Sequence, residues 1–429
     1  MKIGIIGAGF TGLAAAIALQ KKGHKIVLIE KDFQPGGLAL GYSENTWEWT
    51  LEQHYHHWFT NDDSILNLAK ETHYPVVIKR PKTSVYINDT IYQLDSPLKL
   101  LTFPKLSLIQ RFRMAAVFAL LFRFNPFWKL LENIKTTKIL PRLIGKKAYT
   151  LIWEPQLVNK LGKYVDDISL VWFWARIKKR TTSLAYPKGG FLRFAQHLSK
   201  KIADGGGIIK YESEIKKITV DKKGPALEYD QHGEKTTAIF DKIIVTLPTH
   251  LFTKITPQLP ESYIQSLAKL KGLAATNMVL RLKKPFLTDG TYWLSICTTD
   301  SNIMVLVEHT NFMDKKNYNN EHIVYIGNYM PADDEKFTQS KEQLLKSYDP
   351  FLKKIHSDYK NNLIDYEVFR APFAQPIVPA NYSKMIPPFI TPLEGIYLAN
   401  MQQVYPWDRG TNYAVELGQK IAEIIDNSK

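Results

Sequence analysis

Met1-Lys-Ile-Gly-Ile-Ile-Gly7-Ala-Gly9-Phe10-Thr11-Gly12 runs into Leu-Ala-Ala-Ala-Ile-Ala-Leu, and the chain resumes as His24-Lys-Ile-Val-Leu-Ile-Glu30. A β-rich apolar run, a glycine turn, an Ala/Leu helix and a second β-rich run closing on an acid form a strand–turn–helix–strand unit. The Gly-x-Gly-x-x-Gly spacing is weak by itself. In this context, with Glu30 eighteen positions beyond Gly12, it predicts a dinucleotide-binding unit on a parallel sheet. Gly7 permits the tight turn and Gly9 lets the backbone approach a pyrophosphate. Gly12 lets the helix pack on the sheet, and Glu30 is placed to accept hydrogen bonds from a ribose.

Two more glycine turns extend the unit outward. Gln34-Pro35-Gly36-Gly37 follows the acid, and Asp408-Arg409-Gly410-Thr411-Asn412 opens an amphipathic helix near the C-terminus. The first would bring backbone N–H groups toward phosphates or a ring system, and the second would aim a helix N-terminus at an electron-rich group. Gly205-Gly-Gly207 is only a helix-to-strand turn. A second dinucleotide motif is therefore not expected, and reoxidation would fall to oxygen, a quinone or another carrier.

Several stretches resemble the flavin-containing amine oxidase superfamily, specifically its protoporphyrinogen-oxidase-like and phytoene-desaturase-like branch. They are the N-terminal unit through Gly37, Tyr186-Pro-Lys-Gly189-Gly190-Phe191, Ile243-Ile-Val-Thr246-Leu-Pro248, and the segment from Gly395 to Gly418. The resemblance implies FAD. It puts Gly7, Gly9, Gly12, Gly36 and Gly37 near the pyrophosphate, Glu30 on the adenosine ribose, Ile215 at the adenine, and Gly410, Thr411 and Asn412 at the flavin ring. Phe10, Thr11, Lys31, Leu38, Thr246 and Asn400 complete the implied cofactor contacts. The single cysteine, Cys297, lies outside these motifs, so non-covalent FAD is expected. Leu38 stands where many relatives carry Arg, and Ala399-Asn400-Met401 where they carry Ala-Gly-Asp, so a phosphate-side acid is either lost or supplied by Asp408. Asn277 aligns with the flavin-side lysine of amine-oxidising relatives, which disfavours amine oxidation.

The implied fold is α/β: a Rossmann-type FAD-binding domain with a discontinuous α+β substrate domain. Residues 1–75, 185–250 and 385–429 are assigned to the first, with 207–220 and 240–247 as strands of its one sheet. Residues 76–184 and 251–384 form the second. Its later part, 275–282, 292–297, 303–308, 322–327 and 364–369, reads as a mixed or antiparallel sheet, and its earlier part as a helical insertion. A chain of 429 residues, 45% apolar and 12% aromatic, is long enough to give two such domains full cores. One cysteine rules out an internal disulfide, a paired-thiol redox centre and Cys-rich zinc binding. Met1 enters the first strand at once, so a cytoplasmic protein without a cleaved signal peptide is expected.

A net charge of +15 calls for an anionic partner. The motifs fit no nucleic-acid module, and an anionic membrane surface fits better, giving a cytoplasmic protein peripheral to the membrane's inner face. Residues 103–147 are the segment for it. The charge-free apolar core from Met114 to Phe122 is too short to span a bilayer, and Arg111, Arg113, Arg123, Lys129, Lys135 and Lys138 flank it. Such a helix could lie in the interface with Phe118, Phe122 and Phe127 meeting lipid, or it could roof the substrate cavity.

Trp47 to Phe59 carries His54, His56 and His57. Successive side chains of an extended segment face opposite ways, so no metal site is expected; His54 or His56 could be an acid, base or hydrogen-bond donor toward substrate. Asn277 and Tyr405 are further candidates for contact with substrate at the flavin. Glu154 and Arg176, single charges among tryptophans, are expected to pair. The activity implied is dehydrogenation or saturation of a bulky, apolar small molecule at the flavin. A redox-neutral enzyme of the sugar-mutase type and a non-catalytic flavin-binding scaffold are the alternatives.

Overall fold

The computed structural model describes residues 1–428. Its centre is the strand Lys2–Ile6, flanked by Lys25–Ile29 and Lys242–Val245, with Ile208–Lys210 and Ile396–Leu398 at the edges, all parallel. A strand buried on both faces reads as an unbroken apolar run, which is why the opening residues are so uniformly aliphatic. Ile3 and Ile5 join the core under helices Phe10–Lys21, Phe191–Asp204 and Thr411–Asp426. Ile6 faces the opposite core, where a Cβ on Gly4 would sit 3.1 Å from the Phe240 ring. On the helical side a Cβ at Gly418 would come within 2.3 Å of the Thr11 carbonyl oxygen, so the first and last helices meet through that glycine.

The opposite face carries a separate antiparallel sheet, Ser213–Asp221, Gly224–Gln231 and Glu234–Ile239. This corrects the expectation of one sheet. Only Ile208–Lys210 stays in the parallel layer; the chain turns through Glu212 at φ +52°, and Ser213 N–H donates to the Glu30 carbonyl at 2.8 Å. The second strand thereby hangs beside the end of Lys25–Ile29.

The second body is a seven-stranded mixed sheet, in order Leu363–Pro376, Gly272–Leu282, His322–Met330, Val305–Glu308, Thr291–Ile296, Lys82–Ile87 and Thr90–Gln93. All neighbours are antiparallel except Thr291–Ile296 with Lys82–Ile87. The last two strands belong to the region read as helical. Helix Lys341–Ile355 covers one face, packing Leu344, Tyr348 and Leu352 against Met278, Leu280 and Ile326. Asn277 faces the other way, toward the cavity between the two bodies.

Between the strand Thr90–Gln93 and the motif at Tyr186 the chain is helical: Pro97–Leu101, Leu108–Val117 continuing as π-helical turns over Phe118–Phe124, then Thr136–Ile144, Glu154–Leu161 and Leu170–Lys178. Among the described residues no helix is long and apolar enough to cross a membrane. Phe122 is fully buried, and Phe118 is half-buried against Trp153 and Phe173, so neither is presented outward as expected. The side chains that do are Leu108, Ile109, Phe112, Leu120, Phe124, Phe127 and Leu130, each more than 60% exposed.

Candidate active site

A cavity of about 1230 Å³ runs from Glu30 and Ile215 to Trp293 and Arg180, above the roughly 300–1,000 Å³ of ordinary ligand pockets. At the dinucleotide end the turn at Gly7 has φ +100°, and a Cβ there would meet Thr246 Oγ1 at 2.6 Å. Thr246 in turn donates to the Ile6 carbonyl at 2.7 Å. Gly9 has ordinary extended backbone and opens the helix Phe10–Lys21; its nearest protein neighbour would be Gly37 Cα at 3.7 Å. Gly36 N–H donates to the Ala8 carbonyl at 3.0 Å, so it ties the two glycine loops together. A helix N-terminus and two abutting glycine backbones leave N–H groups and no side chains, the cradle that a pyrophosphate requires.

Glu30 accepts from Ala8 N–H at 2.7 Å and Asp32 N–H at 3.0 Å. Burial raises its pKa against those two bonds, and the remaining lone pairs of its two oxygens suit ribose hydroxyls. Ile215, Lys31 and Thr11 also line the cavity, and Leu38 packs farther along it against Ala275, Ala371 and Ala374. Phe10 reaches the cavity only with its helix-opening backbone; its ring packs against Phe191 and Phe194 at 6.2 and 5.8 Å. Gly12 lies behind Gly7, where a Cβ would fall 2.0 Å from the Gly7 carbonyl oxygen. Its part is packing.

At the far turn Gly410, Thr411 and Asn412 line the cavity, yet the two side chains are committed elsewhere. Thr411 Oγ1 accepts from Trp58 Nε1 at 2.9 Å, and Asn412 Oδ1 from Ile65 N–H at 3.1 Å. What faces the cavity is the N-terminus of helix Thr411–Asp426, with its unpaired N–H groups. These features fit an extended flavin dinucleotide.

Two expectations are corrected here. Asn400 is buried outside the cavity lining, accepting from Gln402 N–H at 3.0 Å and donating to the Leu247 carbonyl at 2.8 Å; it closes the turn after Ile396–Leu398. Tyr405 is also outside the lining, its hydroxyl donating to Glu132 Oε1 at 2.9 Å and its ring packed on Trp128 and Tyr382. Asn400 was expected at the cofactor and Tyr405 at the substrate, and neither side chain lines the cavity.

His54, His56, His57 and Asn277 do line the cavity. Asn277 Nδ2 lies 2.6 Å from His54 Nδ1; an amide nitrogen can only donate, so the His54 proton sits on Nε2. His56 Nδ1 donates to the His54 carbonyl at 2.5 Å, leaving a bare Nε2. Burial depresses the pKa of His54 to about 3, of His56 to about 4 and of His57 to about 3, so all three are neutral near pH 7. His54 therefore offers a donor and His56 an acceptor. Among the described residues no group of three His, Cys, Asp or Glu side chains is arranged to hold a metal.

The three histidines are held by a buried acid. Glu52 accepts from the Tyr186 hydroxyl at 2.8 and 2.9 Å and from Phe191 N–H at 2.8 Å, while Thr50 Oγ1 donates to the Gly189 carbonyl at 2.9 Å. A Cβ on Gly190 would strike Thr50 Oγ1 at 2.4 Å. The Tyr186-to-Phe191 motif thus clamps the segment that carries the histidines.

Arg176 pairs with Asp408, at 2.6 Å, instead of with Glu154. Asp408 also accepts from Trp172 Nε1 and Gln375 Nε2, so it is engaged on the substrate side and does not replace a phosphate-side acid. Lys160, Arg180, Arg409, Tyr55 and Tyr329 share this wall and were not singled out from the sequence. Lys160 could have been: with Trp153 and Leu157 it falls at i, i+4 and i+7, a lone cation on an apolar helical face.

The family model for flavin-containing amine oxidoreductases matches residues 10–425. The chain belongs to that family. Its fold is similar to that of a protein from Exiguobacterium sp. 255-15 to which protoporphyrinogen oxidase activity has been attributed (TM-score 0.76, 15% identity, 100% of this chain and 99% of that one). It is similar as well to cyclohexylamine oxidase from Brevibacterium oxydans IH-35A (0.74, 15%, 100% and 99%) and to a reduced UDP-galactopyranose mutase (0.74, 15%, 100% and 96%). At these identities the likeness speaks to fold. A Methanothermococcus thermolithotrophicus protein encoded in the nifH2 3′ region is 44% identical over 52 residues, which are 12% of this chain and 48% of that protein. The match therefore spans about half the length of that relative.

Proposed function

We propose that this family member is an oxidoreductase that binds FAD without a covalent bond and dehydrogenates, or saturates, a bulky and largely apolar substrate. The observation that carries the reading is the continuity of one cavity from the glycine cradle to a wall of Trp153, Leu157, Phe173, Tyr292 and Trp293. When bound, the flavin supplies the electron sink. The chain's own groups hold the substrate and exclude water: the aromatic wall takes its apolar body, His54 Nε2–H donates, and His56 Nε2 can accept a proton. Asn277 supports the disfavouring of amine oxidation, because its amide is spent on orienting His54 and offers no amine at that position.

The test is to follow the flavin spectrum anaerobically with candidate polyprenyl, carotenoid-like and porphyrinogen substrates. Net bleaching by one of them supports the reading. Turnover only after prior reduction would assign a redox-neutral mutase instead, and silence under both conditions with bound FAD would leave a scaffold.

We further infer that the protein docks on an anionic membrane. Between residues 98 and 147 stand eleven lysines and arginines against one acid, Glu132, a surplus of ten in a chain of net charge +15. The seven exposed apolar side chains named above lie among them. Charge and apolar area together match a lipid interface better than water. Phe118, beneath this surface, touches Trp153 and Phe173 of the cavity wall, so a membrane-borne substrate would have a short path inward.

A further inference from the structure

The substrate wall carries more positive charge than its own carboxylates offset. Lys160, Arg176, Lys179, Arg180 and Arg409 line it, against the acids Asp408, Asp95 and Asp62. Asp408 is saturated by Arg176, Trp172 and Gln375. Asp95 accepts from Gln93 at 2.7 Å and offsets part of the Arg180 charge, while Asp62 accepts from Phe59 N–H at 2.8 Å and answers Lys179. Among the described residues Arg409 reaches only the Tyr329 hydroxyl, and its Nε has no partner although buried. Lys160 Nζ lies 4.4 Å from the centre of the Tyr329 ring, and no carboxylate stands within 4 Å of it or of the Arg180 guanidinium among the described residues. Burial, with Arg176 and Arg409 next to it, depresses the Lys160 pKa well below the usual lysine value against the pull of Asp408.

Lys160 and Arg409 are half-buried while Arg176 and Arg180 open onto the cavity, and gathering like charges on one wall without matching carboxylates is costly, a cost that folding alone gives no reason to meet. The phosphates of the dinucleotide do not explain it. Their cradle is the Gly7–Gly9–Gly37 corner, whereas these cations come from helices Glu154–Leu161 and Leu170–Lys178, from Arg180 just past the second of them, and from the turn at residues 408–409, beside Tyr55 and Tyr329.

We propose that Lys160, Arg180 and Arg409 bind an anionic head group of the substrate, a carboxylate or a phosphate, whose apolar body lies against Trp153, Leu157 and Phe173. This rests on the oxidoreductase reading and narrows it: the substrate is an amphipathic acid. Planar guanidinium groups suit either oxyanion, and a lysine adds a point charge.

The experiment titrates FAD-loaded protein with dodecanoate, dodecyl phosphate and dodecanol below their aggregation concentrations, reading the flavin difference spectrum. The charged amphiphiles should bind at least ten-fold more tightly than the alcohol. The tighter of the two distinguishes a carboxylate from a phosphate head. Lys160→Met and Arg180→Gln should each erase most of that preference while leaving dodecanol binding and FAD content unchanged. Equal affinity for alcohol and acid, or variants that keep the preference, would overturn the inference. Protein that carries no FAD at all would instead overturn the reading beneath it, so the two failures are separable. If a variant fails to fold, the wild-type comparison of acid with alcohol still decides.

Discussion

Glycines nine and twelve look alike in the motif, and the structure separates them. A side chain at Gly9 meets no protein atom closer than 3.7 Å, while one at Gly12 meets a carbonyl oxygen at 2.0 Å. Gly9→Val should therefore fold, with a melting temperature close to wild type, and lose FAD because the side chain occupies the pyrophosphate's space. Gly12→Val should unfold more easily, by about 1–3 kcal/mol or more. Parallel thermal melts and flavin content read both. Glu52 gives a second prediction at this scale. Burial raises its pKa to about 7, against the bonds from Phe191 and Tyr186. An acid whose folded pKa is raised contributes stability that is full below its unfolded value and lost as pH rises through the folded one. The wild type should lose on the order of 3 kcal/mol between about pH 4.5 and 7 from this group, and Glu52→Gln should lack that slope in melts across the range. Glu52 falls within the Trp47 to Phe59 stretch, yet its role is not legible there because its partner motif lies more than 130 residues away.

Elements were legible where their own residues decide them. Lys2–Ile6 is buried on both faces, so periodicity and the glycine turn suffice. Lys82–Ile87 was missed because what makes it a strand is a parallel partner, Thr291–Ile296, some 200 residues later. Leu108–Val117 was legible as amphipathic, yet which side faced outward was not: Phe122 is core, Phe118 is half-buried against it, and Phe112 and Phe124 are exposed. That distinction sets the membrane prediction. Binding to anionic vesicles should exceed binding to neutral ones and weaken with salt. Changing Ile109, Phe112, Leu120, Phe124 and Phe127 to Ser should cut it at least ten-fold without loss of FAD in a flotation assay. Protein that ignores anionic vesicles at low salt would leave this face without a lipid role.

At the scale of the whole molecule, the cofactor end was readable and the substrate end was not. Glycine turns and an acid at fixed spacing announce a dinucleotide from sequence. The opposing wall is assembled from segments scattered from Tyr55 to Arg409, and Arg176 met Asp408, 232 residues on, in place of nearby Glu154. The resulting arrangement, with Asn277 on His54, predicts that common mono- and polyamines leave the flavin oxidised on an anaerobic timescale of minutes; rapid bleaching by putrescine would show that the Asn277 position does not exclude amines. The central claim is that a single extended cavity holds one flavin dinucleotide against a substrate wall. Acid extraction of the purified protein tests it most directly: the account predicts one FAD per chain, released intact and leaving a flavin-free polypeptide of unmodified mass. Flavin retained on the denatured chain, or a nicotinamide dinucleotide in the extract in its place, would contradict it.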